Sequence, residues 1–232
     1  MTGLIPLDEV AADQRPLIEA FRAAGGKSFQ DAESFEAVRE SYEVSSAKNG
    51  LAPDEVAHVE DVEIGEGDER FAVRVYDPRE SRSAEDAVLL FFHGGGWIIG
   101  SLDTHDPVCR RLATRTGLPV VAVDDGLGPE FPFPAGHLDC RRAVEWLRDE
   151  AGARGWDASR IVTVGDSAGG GLATVIAAEP SMRVEGTGFA AQVLLYPMVD
   201  VQNEAPSYER ITEGFPLTAA TRGAVATNAT SD

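Results

Sequence analysis

At 232 residues the chain is long enough for one domain with a sizeable core, and 39 acidic against 20 basic residues give a formal net charge of -19, which makes nucleic acid and anionic membrane surfaces poor partners. No apolar run approaches the ~18 residues that a membrane span requires, and the opening MTGLIPLDEV lacks the basic end and apolar stretch of a signal peptide, so a cytoplasmic protein is expected. Lys27 and Lys48 are the only lysines; such an acidic, arginine-based surface suits a cytosol of high salt, with an acidic protein of a GC-rich mesophile as the alternative.

Residues 1–50 read as two helices forming a small N-terminal cap. Leu17, Phe21 and Ala24 share one face, Phe35, Val38 and Tyr42 share another, Gly25-Gly26 is the break, and Asp31 stands as a cap for the second helix. Both stripes need a partner surface. Residues 51–200 then read as the main body. Val62 and Ile64, followed by Phe71, Val73 and Val75, alternate with polar residues about a Gly65-Glu66-Gly67 turn, as in a hairpin. Unbroken apolar runs follow at Ala87 to Phe92, Pro119 to Val123, Ile161 to Val164 and Ala190 to Leu195, as expected of parallel strands covered on both faces. Between them lie a helix marked by Val108, Cys109 and Leu112, a second marked by Cys140, Ala143, Val144, Leu147 and Ala151, and a third that follows Ser167 and stops at Glu179-Pro180. The alternation predicts an α/β fold with a mostly parallel sheet flanked by helices, and a site outside the carboxyl ends of the strands. Cys109 and Cys140 fall on helix faces that suit core packing, and no cluster of His, Cys and carboxylates has ligand spacing, so neither metal nor cofactor is expected.

Two motifs stand at strand ends. Gly165-Asp166-Ser167-Ala168-Gly169 closes one run and opens a helix of small residues, the strand, sharp turn and helix of a G-x-S-x-G nucleophile elbow that lifts a serine hydroxyl above the sheet. His93-Gly94-Gly95-Gly96-Trp97 closes another, and three successive glycines let the backbone approach a ligand and turn its N–H groups inward, as an oxyanion hole needs.

HGGGW at 93–97, GSLDTHD at 100–106, LGPEFPFPA at 127–135, GDSAGG at 165–170 and LLYPMVD at 194–200 together resemble the hormone-sensitive-lipase-like carboxylesterases, a family of α/β-hydrolases. The resemblance implies an α/β-hydrolase fold and hydrolysis of small-molecule esters with short or medium acyl chains through an acyl-enzyme. It implies Ser167 as nucleophile, the amides of Gly95, Gly96 and Ala168 as oxyanion donors, His93 and Gly94 as supports of the glycine loop, and Trp97 with the N-terminal helices as walls of the substrate pocket. His105 is expected to cap or pack at a helix start, and His137 to precede a helix.

The family's chain order of serine, acid and histidine is not matched, because no histidine follows His137. Residues 201–232 are expected to begin a cap insertion and end as an irregular tail, AATRGAVATNATSD, and the last two strands of the fold are absent from the sequence. The expectation is a C-terminally truncated form with impaired chemistry, in which the strand at 190–195 becomes an apolar edge open to self-association. A non-catalytic small-molecule binder and a fragment completed by a partner chain are the alternatives. A second departure is Asp125-Gly126, where the family carries Tyr-Arg.

Overall fold

A computed structural model describes residues 4–81, 86–182, 188–203 and 205–221. The first two helices are α1 (Arg15–Ala23) and α2 (Phe35–Asn49). Within the described residues they precede a six-stranded sheet of β1 (His58–Ile64), β2 (Phe71–Asp77), β3 (Asp86–Phe92), β4 (Val120–Asp124), β5 (Trp156–Asp166) and β6 (Phe189–Leu195). Its spatial order is β1-β2-β4-β3-β5-β6. The β1–β2 hairpin and the β2–β4 pair are antiparallel, whereas β4, β3, β5 and β6 run parallel. The crossovers are α3 (Leu102–Thr116), α4 (Ala135–Arg154) and α5 (Ser167–Ala178).

The unbroken apolar runs follow from burial on both faces. On β3, Val88, Leu90 and Phe92 pack into a core with Cys140, Ala143, Val144 and Leu147 of α4 and with Ala173 and Ile176 of α5. Leu89 and Phe91 point the other way, against Leu102, Cys109 and Ala113 of α3. Both cysteines are free and buried, as core packing requires. Helix ends obey local chemistry. Ser101 and Thr104 form a capping box for α3, and Gly117 and Gly155 end α3 and α4 in the left-handed conformation at φ 68 and 70°.

The topology selects the working edge. From β3 the chain crosses to β4 on one side, and from β5 it crosses to β6 on the other, so the switch point lies between the neighbouring strands β3 and β5. Phe92 pairs with Gly165, which brings the carboxyl ends of these strands level and sets His93–Trp97 beside Ser167.

Several expectations need correction. Ser34, not Asp31, caps α2, accepting from the Ala37 N–H. Leu17 of α1 is exposed, and no residue of that helix is buried. What fastens α1 is polar: Arg22 donates to the carbonyls of Ile5 and Gly214. Val108 is likewise largely exposed, the buried face of α3 being Leu102, His105, Cys109 and Ala113. Strand β5 begins five residues before the apolar run, because its polar stretch Asp157–Arg160 precedes the pairing that buries Ile161. His137 lies inside the first turn of α4 rather than before it.

Strand β6 pairs only with β5 among the described residues, and Val193 and Leu195 are exposed. The stretch from 205 to 221 returns to the N-terminal segment, where Ser28 Oγ donates to Phe215 O at 2.6 Å and the Arg22 guanidinium lies 5.0 Å from the Phe215 ring centroid. The expected irregular tail beyond residue 221 lies outside the described residues.

Candidate active site

The turn from β5 into α5 puts Ser167 at φ 52°, a left-handed conformation that costs a non-glycine residue about 1–3 kcal/mol and persists only where its surroundings hold it. Those surroundings are visible. Met198 N–H donates to the Ser167 carbonyl at 2.8 Å, and a Cβ on Gly169, one turn into the helix, would overlap the carbonyl oxygens of Phe92 and His93. Only glycine lets α5 sit this close to the end of β3.

The second loop is equally constrained. Gly95, Gly96 and Trp97 all have positive φ, at 126, 63 and 61°. The carbonyl of Gly95 is turned back to accept from Ile98 and Ile99 N–H at 3.2 and 3.0 Å. Among the described residues the N–H groups of Gly95 and Gly96 have no acceptor in these turns. At the other loop, Ala168 N–H belongs to the first turn of α5, where helix amides lack intrahelical acceptors and the dipole favours negative charge. The two loops are tied together: Gly94 N–H donates to Asp166 Oδ1 at 3.0 Å. Burial alone would raise the Asp166 carboxyl, but His105 Nε2 at 3.4 Å, the Gly94 N–H and His93 outweigh it, and the net effect holds Asp166 below the usual carboxylate range.

Three of the four histidines are held by other groups, and the fourth, His58, stands exposed on β1. His93 lies under the glycine loop with Nδ1 at 2.8 Å from Gly94 O, and its ring stacks on His105 at 5.5 Å between centroids. His105 is buried inside α3 and faces Asp166, while Ser101 does the capping expected near that position. His137 Nε2 lies 2.5 Å from Glu179 Oε1, and the exposed His58 is 3.9 Å from Glu80. Among the described residues no imidazole is hydrogen-bonded to the Ser167 hydroxyl. Among those same residues no group of three or more His, Cys, Asp or Glu is arranged to hold a metal ion.

A cleft of about 330 Å³ opens along α5, lined chiefly by Trp97, Phe131, Phe133, Leu172, Val175 and Met198 and reached by neither Ser167 nor Gly94–Gly96. Gly171 and Leu172 reach it from the second turn of α5, about 6 Å along the axis from Ser167. It is an apolar space for a small organic group, at the small end of the range for ligand pockets.

One essential contact was invisible in the helical pattern. Arg39 of α2 donates from Nε to Ile98 O at 2.8 Å and from Nη2 to Gly128 O at 2.9 Å, and forms a bidentate pair with Glu130 at 3.0 and 2.7 Å. Val38, one residue earlier, packs on Ile98 and Ile99. So α2 clamps the glycine loop to the loop after β4. Arg39→Ala is expected to lower stability by about 2 kcal/mol in urea unfolding, the half-exposed Glu130 contributing least. Arg39→Lys recovers less than half of that, because an ammonium cannot reproduce the planar fork.

Comparison with known proteins agrees with this fold. The model of a family described as alpha/beta hydrolase fold matches residues 89–231. An ethyl acetate hydrolase of Pseudomonas putida is 38% identical over 207 residues, covering 88% of this chain and 65% of that protein. The carboxylesterase NlhH of Mycobacterium tuberculosis is 43% identical over 136 residues, covering 59% of this chain and 42% of that protein. Among solved structures, a hyperthermophilic esterase from the archaeon Pyrobaculum calidifontis superposes with a TM-score of 0.85 at 33% identity, covering 96% of this chain and 71% of that one. An ester hydrolase from the metagenome of Lake Arreo, complexed with a bipyridine phosphonate derivative, gives the same score, identity and coverage.

Proposed function

We propose, from the premise that this chain belongs to the α/β-hydrolase fold family, that it carries the nucleophile and oxyanion parts of a carboxylic-ester hydrolase. Ser167 attacks the ester carbonyl, the amides of Gly95, Gly96 and Ala168 receive the developing oxyanion, and the alcohol leaves to give an acyl-enzyme that water hydrolyses. The observation that carries this reading is the strained Ser167 turn set level with the glycine loop and joined to it through Asp166 and Gly94. The apolar cleft beside Trp97 takes the acyl group, and its size favours short or medium chains. The names of the relatives, among them an ethyl acetate hydrolase, point the same way. The general base comes from outside residues 1–232, since three of the four histidines are held by other groups and His58 stands exposed on β1. The edge of β6 away from β5, which pairs with no strand among the described residues, is where the strands that bring it would pair. Hydrolysis of p-nitrophenyl esters from acetate to decanoate tests the assignment: the highest kcat/KM is expected between acetate and hexanoate, and a maximum at decanoate would remove the cleft as acyl site.

The same four histidines favour a second reading, a binder that keeps the cleft and performs no chemistry. Melting-temperature shifts with non-hydrolysable phosphonate or amide analogues, in a form with no ester turnover, would favour it. As for the environment, the charge of -19 supports a high-salt cytosol. Raising KCl from about 0.1 to 1 M shortens the Debye length from about 10 to 3 Å, so the unfolding midpoint is expected to rise across the series. A flat or falling midpoint discards the halophilic assignment.

A further inference from the structure

Beneath the glycine loop lie two polar atoms without hydrogen-bond partners. His93 Nε2 and Asp125 Oδ1 are both buried, both unpaired, and 3.6 Å apart, in side chains only 5% and 2% exposed. The other ring nitrogen fixes the chemistry. His93 Nδ1 lies 2.8 Å from the Gly94 carbonyl, which can only accept, so Nδ1 carries a proton. In a neutral imidazole Nε2 is then a bare acceptor. An ionised Asp125 would set a second bare acceptor against it, both atoms being buried, and buried acceptors left unpaired are costly.

We propose that Asp125 is a positioning residue that fastens the glycine loop by sharing one proton with His93. The proton resides either on the carboxyl, facing Nε2, or on Nε2, facing the carboxylate; either arrangement makes the 3.6 Å contact attractive, and a side-chain shift of about 0.5 Å closes it to a hydrogen bond. The pair joins the end of β3 to the end of β4 under Gly94 and Gly95, and Asp125 also lines the cleft beside Trp97. Loss of the proton turns two lone pairs on each other beneath the loop that aims Gly95 and Gly96 N–H, and removes one of the ties that hold it. The link to catalysis rests on the reading of those amides as oxyanion donors; the proton itself does not.

The surroundings favour protonation. Burial pushes Asp125 up to about 6, opposed by His93 and reinforced by Asp124 at the end of β4 and Asp139 of α4. Other titratable groups face the pair: Cys140 of α4 lies close enough for Asp125 to raise it, His105 of α3 stacks on His93, and Asp166 at the end of β5 lies in the field of both histidines. Two carboxylates, Asp124 and Asp139, add to the effect of burial on Asp125, and His93 is the one cation-forming group among its strongest influences, so a proton shared with His93 relieves its charge.

The test uses the whole chain and needs no turnover. In protein labelled with carbon-13 and nitrogen-15, the Asp125 carboxyl carbon and both His93 ring nitrogens are followed from pH 5.5 to 9. Expected at pH 5.5 is one shared proton, seen either as a protonated carboxyl beside a neutral imidazole or as an imidazolium beside a carboxylate. An ionised Asp125 beside a neutral His93 at that pH overturns the proposal. Asp125→Asn supplies a permanent N–H donor to Nε2, whereas Asp125→Ala supplies none. At pH 7 the alanine variant is expected to melt at least about 3 °C below the asparagine variant. Equal melting temperatures overturn the positioning role while leaving the ester-hydrolase reading untouched. In a form with turnover, the parent is expected to lose kcat through the NMR midpoint and the asparagine variant to show no step there; parallel pH profiles for the two overturn the link between the proton and the loop.

Discussion

Ser167→Ala is expected to lower turnover of p-nitrophenyl acetate by about a million-fold when a histidine base reaches residue 167, and by less than about tenfold in residues 1–232 alone. The asymmetry follows from the way a nucleophile and its base act as a unit. Removing either from a serine hydrolase costs nearly as much as removing both, and the residual 10³ to 10⁴ over water belongs to the oxyanion hole and binding. On the proposed reading the serine and the loop amides are supplied, but His93, His105 and His137 hold Gly94, Asp166 and Glu179. The two-armed comparison is made by fusing the corresponding C-terminal part of a relative to this chain and measuring both serine variants in each form. A tenfold or larger drop in the unfused chain would mean that one of these histidines reaches the serine after all. No drop in the fused protein would remove Ser167 as nucleophile.

Gly169→Ala is expected to destabilise by at least about 3 kcal/mol, against the sign of helix propensity, which favours alanine over glycine by about 1 kcal/mol in a helix interior. An alanine Cβ at this position overlaps two carbonyl oxygens, those of Phe92 and His93, and backbone at the end of a central strand cannot turn aside as a flexible side chain would. Gly152 of α4 is the control. A Cβ there meets nothing within 4 Å, so Gly152→Ala is expected to stabilise by about 0.8 kcal/mol. Denaturant midpoints of the two variants, read at equal m-value, decide the matter; two changes of the same sign would mean that α5 stands further from β3 than described here.

Much of this frame was legible in the residues because it is written in local patterns. Apolar runs of five or more residues marked β3 and β4, the helical spacing from Cys140 to Ala151 marked the buried face of α4, and the glycines of HGGGW and GDSAGG marked two tight turns. What escaped was nonlocal or polar. Arg39 sits on a helix rich in charged residues, where a solvated side chain and a clamp on two distant loops look alike. The apolar stripe of α1 predicted burial, yet Leu17 faces solvent and a guanidinium does the fastening. The onset of β5 was missed because the stretch Asp157–Arg160 ahead of Ile161 is polar and carries no apolar run. Asp125 stood out as a departure, but its partner His93 lies on another strand end, and only the folded chain brings them within 3.6 Å.

The Arg39 clamp bears on how such a protein can be recombined. Helix α2 belongs to the first fifty residues, yet the Arg39 guanidinium ends on Ile98, Gly128 and Glu130, so this N-terminal segment is not a module that can be exchanged at the start of β1. A chimera that takes this segment from a relative inherits that relative's anchor and this chain's loops, and the two have to match. A crossover placed after Glu130 moves clamp and clamped together, and is the junction at which grafted specificity keeps its foundation.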